Sequence, residues 1–249
     1  MKVSVITACY QSEATIQKTI DSVASQTWPS IEHIVIDGAS SDATAQIIER
    51  NLSSVAYFVS EPDTGVYQAM NKGLKRATGE VIAFLNSDDV YINDRVIHNA
   101  MHILESERLD AVYGNVEFFH PSKPDKVVRT YDSGRFNPER MGWGWMPAHP
   151  ALFIRREVYE RFGYFKEDYE IAGDYEFIVR AFKSGKLKSR HIPEVLVRMQ
   201  TGGLSTAGLA ATVQLNKEIL RACRQNGVSS NWLMLLSKYF YKVREVVPF

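Results

Sequence analysis

Short, almost wholly apolar runs cover Val3 to Ala8, Ile31 to Ile36, Val55 to Ser60 and Glu80 to Leu85. Between them, apolar residues recur at helical spacing, as Ile16, Ile20 and Val23 do within Ser12 to Ser25. The runs predict strands of the kind buried on both faces of a parallel sheet. The spaced segments predict helices over 12–25, 44–50 and 66–76, the second with Ser41 or Asp42 as its N-cap. Strand and helix alternating in this way imply right-handed crossovers and a doubly wound α/β sheet.

After Asp94 the pattern predicts a helix from Val96 to Ser106, then strands from Asp110 to Phe118 and Val127 to Tyr131. Residues 132 to 151 mix Gly, Pro, Met, Trp and His without a period, as a binding loop does. Leu152 to Ile154 reads as a strand and Arg156 to Phe162 as a short helix. Asp174 to Lys183 is an amphipathic helix with Phe177, Ile178, Ala181 and Phe182 on its apolar side. No internal repeat or low-complexity linker divides the chain. The expected organisation is one domain over 1–205 and a C-terminal helical extension over 206–249.

The first four strands all end on ligand-type residues: Tyr10, Asp37, Asp63 and the cluster Asn86-Ser87-Asp88-Asp89. Ligands of open α/β sheets collect outside the carboxyl ends of the strands, so this row marks an edge where a nucleotide-sized ligand would lie. The cluster after Leu85 admits two readings. Adjacent carboxylates make a seat for a hard divalent cation carrying phosphates, and the same residues also end strands as ordinary turns. Asp37 before Gly38 is likewise a turn signal, and Tyr10 suits a half-buried strand end as well as a stacking platform.

Composition narrows the classes. Lys plus Arg and Asp plus Glu number 29 each, so no global field favours nucleic acid, and any polyanion site is local. Hydrophobic residues make up 45% of the chain, enough for a real core. The two cysteines, Cys9 and Cys223, fit neither a disulfide framework nor a zinc spacing, which suits a reducing compartment. The N-terminus begins as a strand rather than a signal peptide, and no apolar run approaches the roughly 20 residues that span a bilayer. The expected location is cytoplasmic, with the inner face of the cytoplasmic membrane as a second setting.

Several segments, taken in order, resemble a known family. They are the Ser-Val-Ile-Thr opening with Tyr10, Ser25-Gln26-Thr27, and Val35-Ile36-Asp37-Gly38-Ala39-Ser40-Ser41-Asp42. Glu61-Pro62-Asp63-Thr64-Gly65 through Gly73, Ala77-Thr78-Gly79-Glu80 and Leu85-Asn86-Ser87-Asp88-Asp89 follow. Gly173-Asp174-Tyr175-Glu176-Phe177 and Gly202-Gly203-Leu204-Ser205 complete the set. The chain looks like a bacterial family 2 glycosyltransferase of the GT-A, Rossmann-like fold, the type that builds surface polysaccharides. That fold implies a mostly parallel central sheet flanked by helices. Residues 1–95 would form the nucleotide-binding half and residues 96–205 the acceptor-binding half.

The resemblance also implies roles. A nucleotide-diphosphate sugar, a UDP-sugar by family habit, would lie against Thr7, Ala8, Tyr10, Asp37, Asp63, Asn71, Asn86 and Ser87. Tyr10 would stack on the base, and Asp37 would accept from its edge or from the ribose. Asp88, with Asp89, would hold a Mg2+ or Mn2+ ion on the diphosphate. Here Asn86 replaces the family's first Asp, removing one charge. Asp174 matches the catalytic general base, with Gly173 where the family usually has Glu; a helix N-cap is the structural reading of the same residue. His149, Trp143 and Trp145 are candidates for the acceptor or the diphosphate, and Gly202 and Gly203 could offer backbone N–H groups. Lys72 and Arg76 read as a solvated helix face that could also meet phosphates.

Asn231 to Arg244 combines apolar and aromatic residues with three cations and no acid. It fits a helix lying in a membrane interface, where a lipid-linked saccharide acceptor would be met, or a helix packed on the domain or on a second subunit. Two rival functions share the sheet. A sugar-phosphate nucleotidyltransferase would carry a Gly-rich basic loop after the first strand, which Ala8-Cys9-Tyr10-Gln11-Ser12 lacks. An inactive carbohydrate-binding or scaffold protein would not need both Asp88 and Asp174.

Overall fold

The computed structural model describes residues 1–202 and 208–237. Its first half is a parallel block in the order β3-β2-β1-β4. The strands are β1 (Val3–Cys9), β2 (Ile31–Asp37), β3 (Tyr57–Ser60) and β4 (Val81–Phe84). Val3 pairs with Ile31 on one side and with Val81 on the other. The apolar runs are continuous because β1, β2 and β4 are covered on both faces.

Helices α1 (Ile16–Ala24), α2 (Thr44–Glu49) and α3 (Val66–Arg76) make the crossovers. Ile16, Ile20 and Val23 of α1 are buried, as the spacing requires. On the opposite face Met70 and Leu74 of α3 join Ile6, Ile34 and Ile36 in one apolar cluster. Gly73 lets α3 lie close to β1, because a Cβ there would overlap the side chain of Ile6. The cap of α2 falls on Ala43, and Asp42 supplies the capping bond by accepting from the Thr44 N–H at 3.0 Å.

Beyond β4 the sheet becomes mixed. Its further strands are β5 (Val90–Tyr91), β6 (Ala111–His120), β7 (Lys123–Tyr131), β8 (Leu152–Arg155) and β9 (Ser189–Gln200). The order continues β4-β8-β6-β9-β5, with β7 paired to β6 as a hairpin. β8 is antiparallel to β4 and β6, whereas β9 runs parallel to β6. This is the expected α/β architecture of a central sheet between helical layers. β5 and β9 were not foreseen, since β5 is two residues long and β9 carries Pro193 and no sustained apolar alternation.

Helices α4 (Val96–Ser106), α5 (Arg156–Phe162), α6 (Gly173–Phe182) and α7 (Leu209–Gln225) complete the layers. α6 is buried almost throughout, lying between the sheet and α7. Ile219, Ala222 and Cys223 of α7 enter the core, each large apolar side chain contributing about 1.5–3 kcal/mol by burial.

Residues 232–237 form one further helical stretch. Its Leu235 is buried, and Ser230 just before it donates to the Gly142 carbonyl at 2.6 Å. Leu233 is 81% exposed, and Trp232 and Leu236 also face outward. The stretch therefore packs on the domain and keeps an apolar outer face. The rest of the helix expected to Arg244, together with Gly203, Leu204 and Ser205, lies outside the described residues. Among the described residues no helix is long and apolar enough to cross a membrane.

Candidate functional site

The carboxyl ends of β1, β2 and β3 build a cleft. Tyr10 is 64% exposed at the end of β1. A Cβ built on Gly38 would lie 2.8 Å from Asp63 Oδ2 and 3.4 Å from Tyr10 Cδ2, so these three residues meet at one point. A side chain at residue 38 would fill the space beside the Tyr10 ring, and glycine keeps it open. Gln11 and Ala39, on the two adjoining loops, have φ of 53° and 57°. Left-handed backbone at non-glycine residues costs about 1 kcal/mol or more each and collects at functional sites.

Side chains hold these loops in that form. The Gln11 N–H and amide donate to the Ser40 and Ser41 hydroxyls, each at 2.8 Å. Asp37 is fully buried and accepts from Ser40 N at 3.0 Å, from Ser40 Oγ at 2.5 Å and from Ser60 Oγ at 2.6 Å. Its carboxylate thus shapes the cleft from beneath, engaged with the protein rather than presented to a base. Ala8, half-buried at the end of β1, is next to the cleft. Thr7 and Asn71 turn inward. The Thr7 hydroxyl meets His33 Nε2 at 3.0 Å, and the Asn71 amide bonds Phe165 and Glu167. Neither side chain reaches the cleft, because each has its partners in the protein interior.

The acidic cluster follows β4. Ser87 and Ser12 share a hydroxyl bond of 2.8 Å, tying the cluster to the first loop. Asn86 donates its amide to Asp89 Oδ2 at 2.9 Å, and Thr19 of α1 donates to the Asp89 carbonyl at 2.9 Å. Burial, then the Asp88 charge, pushes the Asp89 carboxyl well above the usual range. Asn86 and the Gln200 backbone partly offset this. Asp88 is half-buried, its carboxyl also raised by burial, and no side chain among the described residues bonds it.

Asp88 faces a cavity of about 390 Å3, lined also by Lys18, Phe119, Pro124, Arg198 and Gln200. Arg198 is held by Glu117 at 2.7 Å and by the Pro124 carbonyl at 2.6 Å. Gly202, with φ of 109°, follows Gln200 at the end of β9, beside the acidic cluster. Lys72 is paired with Glu61 at 3.0 Å, and Arg76 lies over the Tyr57 ring at 4.8 Å, so both belong to a separate surface groove.

Asp174 stands in the first turn of α6, whose N-cap is Ala172. Its Oδ1 accepts from the Tyr175 N–H at 2.8 Å and is approached by the Tyr67 hydroxyl at 3.3 Å. That hydroxyl has one proton, and its shorter bond, 2.7 Å, goes to the Ile171 carbonyl. Asp174 therefore keeps acceptor capacity for a substrate hydroxyl. His149 is buried and stacks on Phe84, the last residue of β4, with ring centroids 5.1 Å apart. Burial lowers its pKa, and the Asp174 charge acts against that. Among the described residues, His149 Nε2 has no hydrogen-bond partner.

Trp143 ends a tight helical turn, Pro138–Trp143, and Trp145 follows it, shortly before His149 in sequence. Trp143 is 42% exposed, and Arg135 lies 6.0 Å from the Trp145 ring. The turn is backed by the Tyr175 hydroxyl, which donates to the Met141 carbonyl, and by Ser230. Sequence reading missed Tyr67, Ser12 and Ser40. The segment around Tyr67 belongs to the motif that carried the resemblance, yet nothing in it says that the hydroxyl reaches α6.

The chain is similar to proteins of known family. A family model described as "Glycosyl transferase family 2" matches residues 4–163. The chain is 31% identical over 225 residues to a "PGL/p-HBAD biosynthesis glycosyltransferase" of Mycobacterium bovis (strain BCG / Pasteur 1173P2), spanning 88% of this chain and 82% of that one. It resembles in fold the crystal structure of S. aureus TarS 1-349 in complex with UDP-GlcNAc. That likeness has a TM-score of 0.70 at 20% identity and covers 97% of this chain and 73% of that one. The mannosyltransferase PcManGT from Pyrobaculum calidifontis, in complex with GDP-Man and Mn2+, gives a TM-score of 0.69 at 19% identity. There the match covers 96% of this chain and 69% of that one.

Proposed function

The chain belongs to glycosyl transferase family 2, and from that premise we propose that it is an inverting glycosyltransferase using a nucleotide-diphosphate sugar, with Asp174 as general base. One observation carries the reading. Phe84, where β4 ends, packs on Phe165, which packs on Tyr67, whose hydroxyl approaches Asp174, and the same strand delivers Asp88 four residues later. Donor and acceptor chemistry thus meet at one strand end.

The nucleotide base lies in the Tyr10–Gly38–Asp63 cleft, stacked on Tyr10, with Asp37 fixing the cleft floor. The acceptor enters beside Trp143 and Trp145, whose faces suit sugar rings. Its hydroxyl bonds Asp174. As the new oxygen–carbon bond forms at the anomeric centre, the proton passes to the carboxylate and the bond to the diphosphate oxygen breaks with its electron pair. Attack from the side opposite the leaving group inverts the centre. His149, its pKa lowered by burial and its buried Nε2 without a hydrogen-bond partner among the described residues, would offer a hydrogen bond to the acceptor or the diphosphate.

The residues fit a divalent ion. Asp88 is a half-buried carboxylate whose burial a cation would offset. Among the described residues no three His, Cys, Asp or Glu side chains gather as a cage. Mg2+ and Mn2+ in nucleotide sites take one or two carboxylates and complete their shell from phosphate and water. Asp88 would hold the ion, with Asp89 behind it, and the ion would supply charge neutralisation to the leaving diphosphate. A UDP-sugar is the proposed donor. A lipid-linked or oligosaccharide acceptor of cell-envelope polysaccharide assembly is the proposed partner, met by peripheral contact at the inner face of the cytoplasmic membrane. The outward Trp232, Leu233 and Leu236 support that contact.

Asp174→Asn tests the core of the reading. Transfer should fall by about 10²–10⁴-fold, with nucleotide affinity unchanged. Full turnover by this variant would sink the base assignment.

A further inference from the structure

We propose that Glu218 of α7 is a positioning residue for transfer, fixing the segment 170–172 that sets Asp174. The inference rests on Asp174 as the base. The Glu218 carboxylate is 4% exposed and accepts from three consecutive peptide N–H groups: Glu170 at 2.9 Å, Ile171 at 2.9 Å and Ala172 at 2.8 Å. Gln214, one turn earlier on α7, adds a fourth bond at 3.1 Å. Both oxygens are therefore doubly engaged, the full capacity of a carboxylate. Successive N–H groups converging on an anion form the cradle by which loops elsewhere bind phosphate. Here the anion is part of the chain.

The clamped residues lead straight to the base. Ala172 is the N-cap of α6, and Asp174 follows it by two positions. The Ile171 peptide is gripped on both sides, its N–H by Glu218 and its carbonyl by Tyr67. Tyr67 also approaches Asp174, so the two grips meet at the catalytic carboxylate. A purely structural anchor between α6 and α7 already exists elsewhere. Glu176, fully buried, binds Lys166, Arg180 and Asn226. Glu218 adds nothing to that network and acts instead on the loop. Both α6, which carries Asp174, and α7 lie beyond the residues that the family model matches, 4–163.

The test compares Glu218→Ala and Glu218→Gln with Asp174→Asn in the full chain. Readouts are kcat, donor KM, calorimetric nucleotide affinity and Tm. Glu218→Ala should lower kcat by about 10- to 100-fold with nucleotide affinity unchanged, because a small misplacement of a reacting group costs rate rather than ground-state binding. Glu218→Gln keeps one acceptor oxygen and should recover part of the rate. Unchanged kcat in a folded Glu218→Ala protein overturns the proposal, and so does a parallel fall of kcat, affinity and Tm. Should neither variant fold, hydrogen exchange of the wild-type protein decides. The amides of 170–172 should be as protected as those of α6, and exchange at open-loop rates overturns the clamp. Turnover retained by Asp174→Asn would overturn the base assignment and this proposal with it. An inactive Asp174→Asn beside a fully active Glu218→Ala would overturn this proposal alone.

Discussion

The ring of Tyr67 occupies the space that a side chain on residue 173 would need. A Cβ built on Gly173 would lie 2.8 Å from two of the ring carbons. The glycine that stands where the family usually has Glu is thus matched to the tyrosine whose hydroxyl approaches Asp174. Gly173→Ala should force the ring aside at a cost of about 1–3 kcal/mol, typical of overpacking. Denaturant unfolding reads that loss, and transfer should slow with it. A neutral Gly173→Ala would show that the ring yields freely.

Tyr67→Phe isolates the hydroxyl. The ring contacts with Phe165 remain, while the bonds to Ile171 and Asp174 are lost. Stability should fall by about 1 kcal/mol, and by more because a buried carbonyl loses its partner. Single-turnover kinetics should show a slower chemical step at unchanged donor affinity.

Asp88→Asn should remove the metal response. Donor binding by the natural protein should strengthen on adding Mn2+, and titration with a chelator should abolish transfer. The variant should bind nucleotide equally with and without the ion. Isothermal titration with Mn2+ present and absent provides the comparison, and an undiminished Mn2+ effect would move the ion away from Asp88.

Acid stability should depend on Glu32, at the opposite end of the strands. Burial opposes its ionisation, and bonds from Lys2, Ser4 and Thr78 outweigh burial, holding its pKa down at about 2. A folded pKa below the unfolded one means stability that is fully present above pH 4.5 and is lost as pH falls toward 2. Glu32→Gln should be less stable at neutral pH and show a flatter stability profile over that window. Urea unfolding at several pH values measures both.

The outer face of residues 232–237 should govern membrane contact. Leu233→Glu with Leu236→Glu should abolish flotation with anionic liposomes while leaving the buried Leu235 and the fold intact. Equal flotation of both proteins would locate the contact elsewhere.

Legibility in the sequence followed the physics of each element. Helices 66–76 and 96–106 match the apolar spacing residue for residue, since one face of each packs on a sheet. β9 escaped because it lies near the far edge, where Pro193 is tolerated and few side chains are buried. The strand-end row of Tyr10, Asp37, Asp63 and the acidic cluster was visible because strand ends concentrate polar residues. Which of them face outward was not. Asp37 and Asn71 carry the same groups whether they bind a ligand or brace a loop, and only their partners distinguish the two. Long-range bonds such as Tyr67 to Ile171, 104 positions apart, leave no periodic trace.

The seat of Ser230 against Gly142 has a consequence for synthesis. A nascent chain that has delivered all nine strands still lacks α7, whose Ile219, Ala222 and Cys223 enter the core. It also lacks the part of the tryptophan turn's backing that comes from residues 229–235. A domain folds as a unit, so the turn and the core behind it close only when this last stretch has emerged.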